Sequence, residues 1–214
     1  MSKDFGEVFS RQRHKMVTGQ LVSRGVCDER VLAAMGKVER EKFIPVNEAA
    51  RSYNDCPLPI GCGQTISQPY IVAYMTELLE LSESEKVLEL GTGSGYQTAV
   101  LAELASQVFT VELIPELADR SRELLIGELG YSNISLKTGN GAAGWGEHAP
   151  FTRIIVTAAP ENFPESLFLQ LEEGGIIIAP VGSYFQNIIK YKKEGGRIVK
   201  TALIAVSFVP LIVE

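Results

Sequence analysis

The chain has only two histidines, His14 and His148, and three cysteines, Cys27, Cys56 and Cys62, with no CxxC pair among them. Metal centres and disulfide frameworks need such residues clustered at short spacing, so neither is expected, and free thiols fit a reducing compartment. Long apolar runs are also missing: stretches such as GIIIAPV fall far short of the ~20 residues that cross a bilayer. The amino-terminal MSKDFGEVFSRQRHK is charged and lacks an apolar h-region, so no signal peptide is expected. Positive charge is in short supply too, with a net charge of −6 and a pI of about 5.1. A negative surface field disfavours phosphate backbones, which argues against nucleic acid as the main partner. The one basic cluster, Arg11 to Lys15, fits the solvated face of a helix. These absences together describe a cytoplasmic protein with no metal, no membrane and no nucleic-acid partner.

What is present is enough apolar material, 45% of 214 residues, for one substantial core. The chain is organised around Lys86 to Ala99, KVLELGTGSGYQTA. Val87, Leu88 and Leu90 form a short apolar strand that ends abruptly at Gly91, Gly93 and Gly95. From Gln97 the period turns helical, through Val100, Leu101 and Leu104. Strand, glycine turn and helix start build a pocket floor of free backbone N–H groups that a ligand can approach closely. A dinucleotide fingerprint would read GxGxxG, whereas the spacing here is GxGxG. Glu112 closes the next strand, VFTVE, 21 residues after Gly91, and no basic residue stands beside it to take a ribose phosphate. A carboxylate at that strand end suits a pair of ribose hydroxyls. The combination points to S-adenosylmethionine, which has a ribose and no phosphate.

Along the chain, residues 5–44 read as helices. Phe5, Val8, Phe9, Met16, Val17 and Leu21 form an apolar stripe closed by Gly25, and Asp28 caps a second helix carrying Val31, Leu32 and Met35. Residues 53–69 are punctuated by prolines and glycines and have no period, as expected of a functional loop. Ser67 is expected as the N-cap of the next helix, with Pro69 in its first turn. Beyond the glycine turn the pattern alternates: helix 97–105, strand 108–112, helix 115–129, strand 134–138, strand 153–158, helix 164–172, strand 176–181 and a closing β-hairpin. This predicts an α/β fold, a mostly parallel sheet with helices on both faces and an antiparallel edge.

Ligands of such sheets lie beyond the carboxyl ends of the strands. The 91–95 turn, Glu112, the 139–141 turn and Thr157 to Pro160 converge there. Asn140 has two readings of equal weight, an adenine contact or an Asn-Gly turn. The TAAP after the fourth strand lacks the Asn or Asp with prolines and an aromatic that accompanies amine methylation. No cysteine stands there for carbon methylation. By elimination the acceptor is already a nucleophile, such as a carboxylate, which with a pKa of about 4 needs no general base. Alignment, water exclusion and charge complementarity with the sulfonium then suffice.

Five stretches carry a family likeness: RSYNDCPLPIGCGQTISQPYIVAYMTELLEL, VLELGTGSGYQTAVLAEL, GWGEHAPFTRIIVTAAP, QLEEGGIIIAPVG and the terminal FVPL. From about Arg40 to Leu211 the chain resembles the protein-L-isoaspartate (D-aspartate) O-methyltransferases. The resemblance implies a Rossmann-like class I methyltransferase of one domain. Its parts would be a helical cap (1–52), an active-site loop (53–69), a cofactor-binding core (70–182) and substrate-binding strands (183–214). It implies methylation of the free α-carboxylate of isoaspartyl residues in damaged proteins, by a monomer; another carboxylate or small-molecule acceptor is the alternative. Carried over by position, Ser67 is the active-site serine. Thr65, Ile66, Ser67 and Gln68 form a lid on cofactor and substrate. Gly91, Thr92, Gly93, Gly95, Glu112, Leu113, Asn140 and Gly141 hold the cofactor. Phe208, Val209 and Pro210, with Ser67, hold the substrate peptide through main-chain bonds. Two positions depart from the family pattern, Asn140 and Thr152, where Asp is usual.

Overall fold

The structure, a computed structural model, describes residues 2–212; the side chains of residues 2–5, including Phe5 of the expected stripe, lie outside that description. Helix α1 (Ser2–Met16) runs through a π turn (Val17–Leu21) and a 3-10 turn into Gly25, whose φ of 93° ends it. Met16 and Leu21 are fully buried and Phe9 and Val17 pack against the same core, but Val8 is 44% exposed and falls outside the stripe. Helix α2 (Glu29–Lys37) is capped as its sequence predicts: the Asp28 carboxylate accepts the N–H groups of Arg30 and Val31.

Residues 53–69 are more regular than their composition suggests. Strands β1 (Leu58–Gly61) and β2 (Gln64–Ile66) form an antiparallel hairpin, turning at Gly61, Cys62 and Gly63, all with positive φ. Leu58, Ile60 and Ile66 face inward and are buried, while Pro59 faces out. The expected cap of helix α3 (Pro69–Leu78) is corrected. Gln68, not Ser67, is the N-cap residue, and Asp55 supplies the acceptor, taking the Tyr70 N–H at 3.1 Å. Pro69 lacks an N–H and occupies the first turn, so the first donor in need of a partner is Tyr70.

The main sheet contains β3 (Lys86–Leu90), β4 (Gln107–Glu112), β5 (Ile134–Thr138), β6 (Phe151–Val156), β7 (Leu171–Val181), β8 (Gln186–Glu194) and β9 (Arg197–Val206). Its order is β5-β4-β3-β6-β7-β8-β9; the first five are parallel, and β8 and β9 continue as an antiparallel meander. Alternate residues feed two cores. Val87, Ile155 and Ile176 pack with the amino-terminal helices, α3, α4 (Tyr96–Ala102) and α5 (Pro115–Arg122). Leu88, Leu90, Ile154 and Ile177 pack beneath α6 (Ser166–Leu169), Trp145 and Phe163 on the other face. The expected helix 164–172 is shortened: Leu171 is buried and pairs with Phe151, so burial against the sheet claims it for β7. Strand β6 likewise begins two residues early and stops at Val156. Helix α5 continues as a π turn through Glu128, close to the expected end at 129.

Candidate active site

The carboxyl ends of β3, β4 and β6 open into a cleft of about 950 Å³, counted out to open solvent. Its floor is the glycine turn after β3. Gly91 has a φ of 98°, and a Cβ there would stand 2.5 Å from Thr157 Oγ1. That hydroxyl lies 2.5 Å from the Gly91 carbonyl oxygen and 3.0 Å from that of Leu90, so the residue just past β6 buttresses the turn. Gly93, with a φ of 54°, passes under Ile60 of the hairpin, 3.7 Å from where its Cβ would be. The hairpin is fixed over the turn by Arg120, which donates to the Ile60 carbonyl at 2.7 Å.

Glu112 is buried at the end of β4 and faces this turn. Its Oε2 accepts the Gly93 N–H at 2.7 Å and its Oε1 the Ile114 N–H at 2.9 Å. Each carboxylate oxygen has two lone pairs, so both keep an acceptor site for a ligand hydroxyl. Ser121 completes the frame, donating to the Gly93 carbonyl at 2.7 Å.

Most of the residues expected from sequence come together here. Thr65, Ile66, Ser67, Gly91, Thr92, Gly93, Glu112, Leu113, Gly141, Phe208, Val209 and Pro210 all line the cleft. Three do not. Gln68 lines a neighbouring cleft of about 650 Å³ instead. Gly95 packs: a Cβ there would stand 3.0 Å from Leu125 Cδ1, so its place is under α5. Asn140 takes the Ala142 N–H on its Oδ1 at 2.8 Å, a bond within its own turn that leaves both readings open, and Gly141 beside it reaches the cleft.

The two clefts share Thr65, Ser67, Ile71, Thr157, Phe208 and Val209. In the second, Arg24 pairs with Asp55 and stacks 3.4 Å above the Tyr70 ring. Segment 208–211 is held on both edges. The Phe208 N–H donates to Gln186 Oε1 at 2.6 Å, and Gln186 Nε2 donates back to the Phe208 carbonyl. On the other edge the Ala159 N–H donates to the Val209 carbonyl and the Leu211 N–H to the Ala159 carbonyl, both at 2.8 Å. Among the described residues no group of three or more His, Cys, Asp and Glu side chains is placed to hold a metal, and no helix is long and apolar enough to cross a membrane.

Sequence reasoning passed over Arg40, Gln186 and Glu89. Arg40 and Gln186 act on backbone carbonyls distant in sequence, which no local pattern signals. Glu89 offered a signal, a carboxylate inside an apolar strand. It is fully buried, accepts the Thr98 hydroxyl at 2.5 Å, and burial raises its pKa to about 8.

Residues 11–214 match the family model described as Protein-L-isoaspartate(D-aspartate) O-methyltransferase (PCMT). The chain belongs to this family. A Picosynechococcus protein-L-isoaspartate O-methyltransferase is 51% identical over 199 residues, 93% of this chain and 89% of the relative. One from Methanoculleus marisnigri is 51% identical over 203 residues, 94% and 92% of the two chains. Among solved structures, a Plasmodium falciparum protein assigned to the same enzyme, in complex with S-adenosyl-L-homocysteine, superposes with a TM-score of 0.81 at 29% identity, over 93% of this chain and 98% of that one. Another protein-L-isoaspartate O-methyltransferase gives 0.84 at 28% identity, over 92% of this chain and 65% of that one.

Of the two departures from the isoaspartyl methyltransferase pattern, one adjoins the cleft and one does not. Thr152 sits at the amino end of β6, where its Oγ1 accepts the Lys86 N–H at 2.9 Å and stitches β6 to β3. Five residues of strand, roughly 16 Å, separate it from Thr157. Asn140 stands directly beside Gly141 in the cleft wall.

Proposed function

We propose that this protein transfers a methyl group from S-adenosylmethionine to the free α-carboxylate of L-isoaspartyl and D-aspartyl residues in damaged proteins and peptides. One observation carries the reading: Ser67 lies in the wall shared by two clefts, one floored by the glycine turn and Glu112, the other bordered by the carboxy-terminal segment. The first fits the cofactor. A Cβ at Gly91 would fill the turn, Glu112 retains acceptor sites for the ribose, and Ile71, Val72, Met75 and Leu117 give apolar walls. Bound there, S-adenosylmethionine supplies a methyl group on a positively charged sulfur.

The protein's own part is to place and to dehydrate. The acceptor is a carboxylate and requires no proton removal, consistent with a shared wall of Thr, Ser, Ile, Phe and Val side chains. The Ser67 hydroxyl donates to the acceptor carboxylate and orients it. Residues 65–68 cover the cofactor, with Gln68 reached from the substrate side. The substrate main chain pairs along the carboxy-terminal segment. Gln186 already occupies both Phe208 peptide groups, so the pairing falls to the Ser207 peptide groups and the Val209 N–H on either side of it. Main-chain recognition suits a backbone lesion found in many sequence contexts. In this reading 1–52 is the helical cap, 53–69 the active-site loop, 70–182 the cofactor core and 183–214 the substrate strands. A monomer in the cytoplasm belongs to the same reading, and the three free cysteines fit a reducing compartment.

The test is incubation with methyl-labelled cofactor and an isoaspartyl peptide beside its aspartyl twin. Label on the first alone supports the assignment. Label on neither, with cofactor still bound, overturns it in favour of another acceptor.

A further inference from the structure

Arg40 is a charged side chain with no solvent exposure, and among the described residues it forms no ion pair. Its Nε donates to the Ser52 carbonyl at 2.7 Å and its Nη2 to the Ser67 carbonyl at 2.8 Å. Nη1 is buried without a hydrogen-bond partner, and the guanidinium lies 4.8 Å from the centroid of the Tyr96 ring. Burial lowers its pKa, yet an arginine keeps its proton in proteins, so the fold carries a desolvated cation here. For stability alone a well-packed apolar side chain of similar volume serves as well or better. What an apolar residue lacks is a rigid fork that ties two backbone segments together at fixed distance.

The segments it ties are the end of the amino-terminal cap and the active-site loop. Ser67 lies between β2 and α3, and its two sides are fixed separately: β2 by the hairpin, α3 by the Asp55 cap at Tyr70. The Arg40 hydrogen bond acts on the residue between them. Holding the Ser67 carbonyl fixes that residue's ψ, and the direction of its Cβ follows from its backbone. Tyr96, beneath the guanidinium, also lines the cofactor cleft and packs edge-on against Phe43 of the cap, 5.5 Å between centroids.

We propose that Arg40 is the positioning residue for Ser67, setting the serine toward the acceptor through its carbonyl. The inference rests on the reading that Ser67 contacts the acceptor, and a double-mutant cycle separates the two. Steady-state kinetics on an isoaspartyl peptide would be measured for Ser67→Ala, Arg40→Met, Arg40→Lys and the paired variants, with S-adenosylhomocysteine affinity by calorimetry and melting temperature alongside.

Arg40→Met is expected to lower kcat/KM about 10-fold or more, the scale of a lost hydrogen bond to a charged group. Affinity for S-adenosylhomocysteine should fall less than kcat/KM does, because Arg40 reaches the cofactor cleft only through Tyr96 and the Ser67 carbonyl and not through the glycine turn or Glu112. Arg40→Lys keeps the charge and loses the fork, and should be similarly impaired. Ser67→Ala added to either variant should cost less than about 2-fold, against about 10-fold alone. If the two substitutions multiply instead, or if Arg40→Met retains wild-type kcat/KM, the inference is overturned and the serine assignment stands. A silent Ser67→Ala overturns both. Should Arg40→Met fail to fold, the Arg40→Lys cycle decides by the same criteria.

Discussion

Raising the pH should destabilise this protein through one residue, Glu89. Its side chain lies inside β3 with no exposed surface; Oε2 takes the Thr98 hydroxyl and Oε1 is buried without a partner. Burial is the main cause of its raised pKa, with the Glu112 carboxylate adding to it and the Thr98 and Thr110 hydroxyls opposing it. The folded chain therefore keeps this proton up to about pH 8, whereas the unfolded chain releases it near 4.5. Since the folded value is the higher, the stabilisation is complete below 4.5. It declines as pH rises toward 8, and beyond that no more is lost. At about 1.36 kcal/mol per pH unit, the decline is on the order of 5 kcal/mol, a large share of a typical 5–15 kcal/mol stability. Glu89→Gln removes the titration and keeps the shape. Urea unfolding at intervals from pH 5 to 9 should show the two proteins diverging, with the glutamine variant gaining on wild type by several kcal/mol at the alkaline end. Parallel curves, differing by a constant offset, would refute the reasoning.

Three further outcomes concern the cleft. Glu112→Gln places an amide N–H against the N–H of Gly93 or Ile114, and should weaken S-adenosylhomocysteine binding by about 10-fold or more in calorimetry; an unchanged Kd would separate Glu112 from the ribose. Gly91→Ala drives a Cβ to 2.5 Å from Thr157 Oγ1 at a φ of 98°, and should cost at least ~2 kcal/mol in urea unfolding, only part of it recovered by adding Thr157→Ala. Asn140→Asp keeps an acceptor for the Ala142 N–H and restores the charge usual in the family, so cofactor binding should tighten by roughly 1 kcal/mol, about 5-fold; no change in the calorimetric Kd would remove Asn140 from the cofactor site.

The parallel sheet and its glycine turn were legible because local signals agree there. Val87, Leu88 and Leu90 make a short apolar strand broken only by Glu89, Gly91 and Gly93 need φ values other residues resist, and Glu112 ends its strand where the chain must turn. Short elements with conflicting signals were harder to read. Leu58 and Ile60 alternate as a strand should, but Pro57 before them and Pro59 between them mask the period, and the hairpin became visible only through its burial. Leu171 continues the apolar spacing of Leu167 and Phe168, and only pairing with Phe151 decides that it is strand. Ser67 combined two plausible roles in one short motif. Asp55, twelve residues earlier, takes the capping role by a contact that sequence spacing does not encode.

The carboxy-terminal segment shows how such distant contacts make a site. β9 leaves the β8 ladder after Val206, the partner of Gln186, and Pro210 has no N–H with which to rejoin a ladder. The chain is kept extended by substitutes on either side. The Gln186 side-chain amide replaces a strand neighbour for both peptide groups of Phe208, and Ala159, just past β6, forms a parallel bridge with Pro210. A segment fixed in this way is already ordered before any peptide arrives, so an incoming chain loses its own conformational entropy but need not also order its partner. The anchors, Gln186 and Ala159, stand outside the wall shared by the two clefts, while Phe208 and Val209 belong to it. The same few residues are therefore both the end of the sheet and the boundary between methyl donor and acceptor. A shift of β8 against β9 would move that boundary even though neither strand touches the glycine turn.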